Sequence, residues 1–123
     1  MSDNSYIYDT YAILEIIEGN PNYEDYLDKQ IIINDFIYAE LCYVLIRTKY
    51  PNVSKFLDKY KKHIVHVNPI SIKMAMIFRH NNKDKNLSMT DCISYFMAKD
   101  LKIKFLTGDK EFENFKEVEF IKK

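Results

Sequence analysis

At 123 residues the chain is long enough for one hydrophobic core and short for two, so a single domain over residues 1–123 is expected. With 47% hydrophobic residues, two Gly and three Pro, the composition excludes a disordered or low-complexity protein. Eighteen basic and eighteen acidic side chains cancel, which excludes attraction to nucleic acid through a whole-molecule field and leaves that task to a local basic patch.

The N-terminal residues carry no basic region ahead of an apolar run, and no stretch approaches a membrane span. A soluble, cytoplasmic protein without membrane contact is expected. Cys42 and Cys92 are isolated, without CxxC or paired His spacing, and read as small buried thiols of a reducing compartment.

In chain order, Tyr6-Ile7-Tyr8 predicts a first strand ending at Asp9. Residues 10–18 predict a mostly apolar helix, stopped by Gly19-Asn20-Pro21. A short helix over residues 23–29 leads to a second strand at residues 30–33, after which Asn34 or Asp35 caps a helix running to about Tyr50. Residues 52–62 are again helical in pattern, residues 63–67 read as a third strand, and residues 71–79 as a helix with Ile72, Ala75, Met76 and Phe78 inward. Ser88 and Asp91 have the form of a capping box that opens a helix with Met89, Cys92, Ile93, Phe96 and Met97 on one stripe. Asp91 lies off that stripe. Residues 103–106 form a short apolar strand stopped by Thr107-Gly108-Asp109, and a turn of helix at residues 110–114 and a strand at residues 118–121 complete the chain. Alternating strands and helices predict an α/β fold, a parallel sheet covered on both faces.

In such a sheet, sites form beyond the carboxyl ends of the strands. Asp9 ends the first strand and Asp109 follows the strand at residues 103–106, so both belong to that edge. Glu40 falls within the stripe Ile37, Leu41, Val44 and Leu45, where an ionised carboxylate is costly unless its charge is compensated. Taken singly, Asp9 and Asp91 also read as caps, Asp109 as a turn residue, and Glu40 as a solvated residue of the helix flank. Taken together they can converge on one cleft. Two carboxylates about 4 Å apart repel by roughly 4 kcal/mol at an effective dielectric near 20, so four require protonation or a cation. An oxygen-only set suits Mg²⁺ or Mn²⁺ better than zinc.

The blocks Tyr6-Ile7-Tyr8-Asp9-Thr10, Tyr38-Ala39-Glu40-Leu41, Leu87-Ser88-Met89-Thr90-Asp91-Cys92 and Leu106-Thr107-Gly108-Asp109-Lys110-Glu111-Phe112, in that order, resemble the PIN domain, in particular the short VapC-like ribonuclease toxins. The resemblance implies a three-layer α/β/α sandwich with a central parallel sheet. It also implies Asp9, Glu40, Asp91 and Asp109 as the metal-binding and catalytic acids, with Thr107 accompanying the last of them. Glu111 stands where relatives often carry Asp, and its longer side chain reads rather as solvated or Lys-paired.

The implied activity is metal-dependent hydrolysis of RNA phosphodiester bonds as the toxin of a VapBC-type pair. An all-carboxylate site without a His nucleophile leads to the expectation of 5′-phosphate and 3′-hydroxyl products. A cognate antitoxin and a homodimer are the implied partners beside the RNA substrate. Lys83, Lys85, Lys110, Arg47 and Lys49 are candidates for phosphate contacts, against the reading of ordinary solvated side chains, and Tyr11, Tyr38, Tyr43 and Phe112 for stacking on unpaired bases, against core or dimer packing, which the abundance of Tyr and Phe favours for most of them. His63, His66 and His80 share no ligand spacing. The alternatives are a freestanding RNA-processing PIN nuclease and a catalytically silent PIN-fold binding module. A phosphoacceptor receiver domain fits less well, because the predicted third strand ends in Val67-Asn68-Pro69 without an acid.

Overall fold

The computed structural model describes residues 4–122. Strands β1 (Ser5–Tyr8), β2 (Gln30–Ile32), β3 (Lys104–Thr107) and β4 (Val118–Phe120) form one sheet in the order β2-β1-β3-β4. Every pairing is parallel: Ile7 lies opposite Ile32 on one side and Phe105 on the other, and Leu106 lies opposite Glu119. Five helices connect and cover it: α1 (Thr10–Glu18), α2 (Asp35–Arg47), α3 (Val53–Lys61), α4 (Pro69–Asn81) and α5 (Met89–Leu101). Successive strand residues point to opposite faces, and Ile7 with Tyr8, like Phe105 with Leu106, is buried pair by pair. Both faces are therefore covered, as parallel sheets require. The result is the three-layer α/β/α sandwich.

Local chemistry sets the element ends. Asp9 Oδ1 accepts from the Ala12 N–H at 2.6 Å and starts α1, and Gly19 ends it at φ 80°, a left-handed conformation that glycine adopts without a Cβ penalty. Asn34 caps α2 through the Ile37 N–H at 2.9 Å. Its amide also donates to Ser94 Oγ at 3.1 Å, so this wholly buried side chain ties α2 to α5. Helix α4 begins at Pro69 behind the cap Asn68, and residues 82–88 turn the chain back into α5. Phe78, Tyr95, Phe112 and Phe115 stack edge-on or tilted between this helix pair and the segment after β3.

Two predicted elements differ. Residues 63–67 do not form a third strand; they make a single parallel bridge, Ile33 to Ile64, with Ile33 N–H donating to His63 O at 3.0 Å and Val65 N–H to Ile33 O at 2.8 Å. The next residue of the would-be partner, Asn34, is already turned into the α2 cap, so no extended backbone remains to pair with. His63 is half-buried beside the Tyr60 ring and His66 is exposed. The short helix expected over residues 23–29 is a 3₁₀ turn, Pro21–Tyr26, and the last helical turn is likewise 3₁₀, Lys110–Phe112.

Candidate active site

Parallel pairing of β1 with β3 brings their carboxyl ends side by side. Asp9 follows β1, is buried, and donates its N–H to Leu106 O at 3.0 Å, extending the ladder by one rung. Thr107 closes β3; its hydroxyl donates to Asp9 Oδ2 and accepts from the Asp109 N–H at 3.0 Å. Asp109 Oδ1 in turn accepts from the Glu111 N–H at 3.0 Å, which starts the 3₁₀ turn. Helix α5 must run back along the sheet before β3 can begin in parallel, so its first turn lies at the same edge. There Ser88 Oγ accepts from the Asp91 N–H at 3.0 Å. The capping box is thus half formed, because the Asp91 carboxyl is hydrogen-bonded to that of Asp109. Helix α2 leaves the same edge after β2, and Thr10 Oγ1 donates to Glu40 Oε1 at 2.7 Å.

The electrostatics follow from this crowding. Asp91 is pushed up to about 8, first by burial, then by the charge of Asp9, the hydrogen bond to Asp109 and the charges of Asp109 and Glu40. All four acids therefore act on one point. Burial also raises the Cys92 thiol to about 11, with Asp91 and Asp109 adding to the rise and Arg79 opposing it. Among the described residues no salt bridge reaches Glu40, Asp91 or Asp109. Nor do three His, Cys, Asp or Glu side chains among them stand in finished ligand geometry. Neutral groups hold the acids apart in part: Thr10 on Glu40, and Thr107 with the Ala12 N–H on Asp9. The donor chemistry, carboxylate oxygen alone with one carboxyl forced to keep its proton, fits a hard divalent cation.

The family model of the PIN domain matches residues 6–118. The chain belongs to the PIN domain family. Among solved structures, a chain of a toxin-antitoxin complex from Klebsiella pneumoniae shares this fold with a TM-score of 0.76 at 17% identity, over 93% of this chain and 95% of that one. A VapC toxin of Mycobacterium tuberculosis, described as cleaving the sarcin-ricin loop, gives 0.75 at 16%, over 94% and 98%. A VapBC structure from Rickettsia felis, bound to a DNA fragment from their promoter, gives 0.73 at 17%, over 95% and 98%. At these identities the likeness is one of fold. No curated protein matches the chain.

The PIN framework sorts the remaining candidates. Phe112 is wholly buried among Tyr95, Phe105 and Phe115, so it packs the core and cannot stack on a base. Tyr38 donates its hydroxyl to Leu57 O at 3.2 Å, and Tyr11 is raised to about 12, chiefly by its hydrogen bond to Glu15. Tyr43 is 66% exposed with the Arg47 guanidinium 5.6 Å from its ring. These two, with Thr10, Ala39, Glu40 and Val44, line a groove of about 470 Å³ along α2. Lys49, Lys83, Lys85, Lys110, His80 and the Glu111 side chain are exposed. Cys42 and Cys92 are free thiols, half-buried and buried. Among the described residues, no helix of this PIN domain is long and apolar enough to cross a membrane. Thr10 is the site residue that sequence reasoning passed over. Its signal was its place directly after Asp9, where a hydroxyl in the first turn of α1 faces the neighbouring helix.

Proposed function

We propose that this PIN domain is a Mg²⁺- or Mn²⁺-dependent endoribonuclease and the toxin of a VapBC-type toxin-antitoxin pair. The observation that carries the reading is Asp91, whose carboxyl is raised to about 8 by burial and by Asp9, Asp109 and Glu40, which share its edge of the sheet. Such a site is poised to exchange a proton for a cation. Asp9, Glu40, Asp91 and Asp109 would hold the ion, and Thr107 positions Asp9 and the backbone of Asp109. When bound, the ion supplies Lewis-acid stabilisation of charge on the phosphoryl oxygens and acidifies an attacking water. The chain's own contribution is to fix the carboxylates from β1, α2, α5 and the end of β3 before substrate arrives, which costs no reorganisation during the reaction. Water then attacks phosphorus, the bond to the 3′ oxygen breaks, and that oxygen leaves with a proton, giving 5′-phosphate and 3′-hydroxyl ends.

The toxin assignment is supported by the three structures of like fold, each named as a toxin or as part of a toxin-antitoxin assembly. On this reading the groove beside Tyr43 and Arg47 receives RNA, and a cognate antitoxin and a second copy of the chain are its protein partners. The deciding experiment is cleavage of end-labelled structured and unstructured RNAs with Mg²⁺ or Mn²⁺ by wild type, by Asp91→Asn, and in EDTA. Cleavage by wild type alone, abolished by EDTA, is the expected result. Equal inactivity of wild type and variant, together with equal Mn²⁺ binding, would remove the metal-site reading.

A further inference from the structure

At the corner between α4 and α5, beside the turn that leads into the first turn of α5, lies a cleft of about 360 Å³ whose walls include Arg79, His80, Lys83 and Lys85. Every fully charged side chain lining it is a cation; Asp84 belongs to the same turn but does not line the cleft. The chain has a formal charge of zero, so such a concentration of positive charge is local by construction. It also lies on the side that matters. Residues 82–88 deliver the chain into the first turn of α5, three residues ahead of Asp91.

Two of the cations are seated rather than free to sweep through solvent. Arg79 Nε donates to Leu87 O at 3.0 Å, which uses one guanidinium N–H and fixes the plane of the group against the residue that precedes the Ser88 cap. Lys85 Nζ lies 5.2 Å from the centre of the Phe115 ring. Phe115 packs against Phe78 of α4 at 5.5 Å and against Phe112 at 5.4 Å, and Phe112 closes the 3₁₀ turn that Asp109 caps. One aromatic cluster therefore underlies both the basic cleft and the Asp109 turn. A second group of lysines, Lys99, Lys102 and Lys104, differs in its place and in its charge partners, although Lys99 also lies over a ring, 5.2 Å from the centre of Tyr95. This group lines a cavity at the amino ends of the strands, shared with Glu117, and Lys104 lies 3.8 Å from Glu119.

The geometry points to the cleft at the α4–α5 corner as a subsite for backbone phosphates of the RNA strand flanking the scissile bond, with Arg79, Lys83 and Lys85 as its contacts. This rests on the nuclease reading above. Phosphate contacts of this kind position a strand without reading its sequence, so the cleft sets register while specificity lies elsewhere.

The test uses the full chain in EDTA and a fluorescein-labelled, mixed-sequence single-stranded RNA oligonucleotide, with anisotropy followed across a KCl series. Each phosphate contact to a single strand contributes about 0.7 to the slope of log K against log salt, so Lys83→Gln/Lys85→Gln is expected to flatten the slope by about 1.4. Arg79→Gln flattens it by about 0.7. Lys102→Gln/Lys104→Gln removes the same charge at the opposite edge and keeps the wild-type slope. An unchanged slope in the first pair, or equal flattening in both pairs, overturns the subsite. If poly-L-glutamate binds wild type as tightly as RNA does and suffers the same loss in Lys83→Gln/Lys85→Gln, the cleft takes a protein carboxylate segment and the RNA assignment falls. Hydrolysis of bis(p-nitrophenyl) phosphate by wild type with Mn²⁺ tests the nuclease reading separately. Hydrolysis with unaltered RNA slopes sinks the cleft alone, whereas the expected slopes without hydrolysis sink the nuclease reading and leave the cleft as an RNA-backbone site.

Discussion

Thr107 donates a hydrogen bond from its hydroxyl to Asp9 across 98 residues of chain, from the end of one central strand to the end of its neighbour, and the same oxygen accepts the Asp109 N–H at 3.0 Å. One hydroxyl thus sets the spacing of two of the acids. Thr107→Val keeps the β-branched shape that suits a buried strand position but removes both roles of the oxygen. The expected cost is about 1–3 kcal/mol of stability, because the Asp109 N–H and Asp9 Oδ2 each lose a partner in a dry setting. If Thr107 positions metal ligands, Mn²⁺ affinity falls by about 10–100-fold as well. Urea denaturation and Mn²⁺ titration together check this; a stability loss with unchanged Mn²⁺ affinity would make Thr107 purely structural.

Asp91 makes the metal-free protein sensitive to pH in a defined direction. Its carboxyl is raised from 3.8 to about 8 in the folded chain, so between those values the folded state holds a proton that the unfolded state has released. Stability therefore falls as pH rises through this window, with the penalty absent below the unfolded pKa and full above the folded one. Asp91→Asn removes the ionisation. In EDTA the variant is expected to be about 1–3 kcal/mol more stable than wild type above pH 8 and to lose most of the slope between pH 5 and pH 8. Thermal melts at the two pH values decide it, and parallel slopes in the two proteins would show that another group is responsible. Adding Mg²⁺ at pH 8 should stabilise wild type and leave the variant nearly unmoved, since binding to the folded state alone raises its stability.

The carboxylate edge was legible because strand ends are legible. Asp9 and Asp109 each follow a short apolar run, and Ser88 marks the start of α5 three residues before Asp91. Parallel topology then places all three together without knowledge of any side-chain contact. Glu40 was harder. Its stripe partners Ile37, Leu41 and Leu45 are buried, but Glu40 itself is half-exposed on the flank, held by Thr10 rather than turned into the core. A periodic pattern marks a face and cannot tell its centre from its rim. The third strand failed for a different reason. His63-Ile64-Val65-His66-Val67 has the residues of a strand, but pairing needs a neighbour with free backbone, and the chain at Asn34 is already committed to capping α2. For Phe112 the core-packing alternative holds, since aromatic character does not tell stacking from burial and the segment after β3 folds back onto α5.

Helix α5 ends on Lys102 with φ 59°, a left-handed conformation in which a Cβ crowds the following carbonyl. The conformation is enforced, because the Lys102 N–H caps α5 on Lys99 O at 3.2 Å and the Ile103 N–H reaches Ala98 O at 3.0 Å before β3 begins. Lys102→Gly relieves the crowding, and part of the gain is offset by the greater freedom of glycine in the unfolded chain and by the loss of a cation near the helix C-terminus. A net stabilisation of about 0.5–1 kcal/mol is expected, read from the urea midpoint. Lys102→Ala is the control. It keeps the Cβ and removes the same charge, so it should gain nothing; equal stabilisation by both would trace the effect to lysine charge rather than backbone strain.

On the proposed nuclease reading, the cut ends of the RNA report which nucleophile the site uses. Asp9, Asp109 and Glu40 act on Asp91 and no histidine belongs to that set: His63 packs beside Tyr60, His66 lies in an exposed extended stretch, and His80 stands among the cations Arg79, Lys83 and Lys85. Cleavage through the RNA's own 2′-hydroxyl is served by a base and an acid near neutrality, a task suited to imidazole. An all-carboxylate site suits water as nucleophile and a cation as electrostatic partner. The expected products therefore carry a 5′-phosphate and a 3′-hydroxyl. A 5′-phosphate-dependent exonuclease should degrade the downstream fragment, and poly(A) polymerase should extend the upstream fragment without prior phosphatase treatment. A 2′,3′-cyclic phosphate on the upstream fragment would mean that the 2′-hydroxyl attacked, and the carboxylate edge would then have to be read as a binding site for the cation and the strand rather than as the place where water is activated.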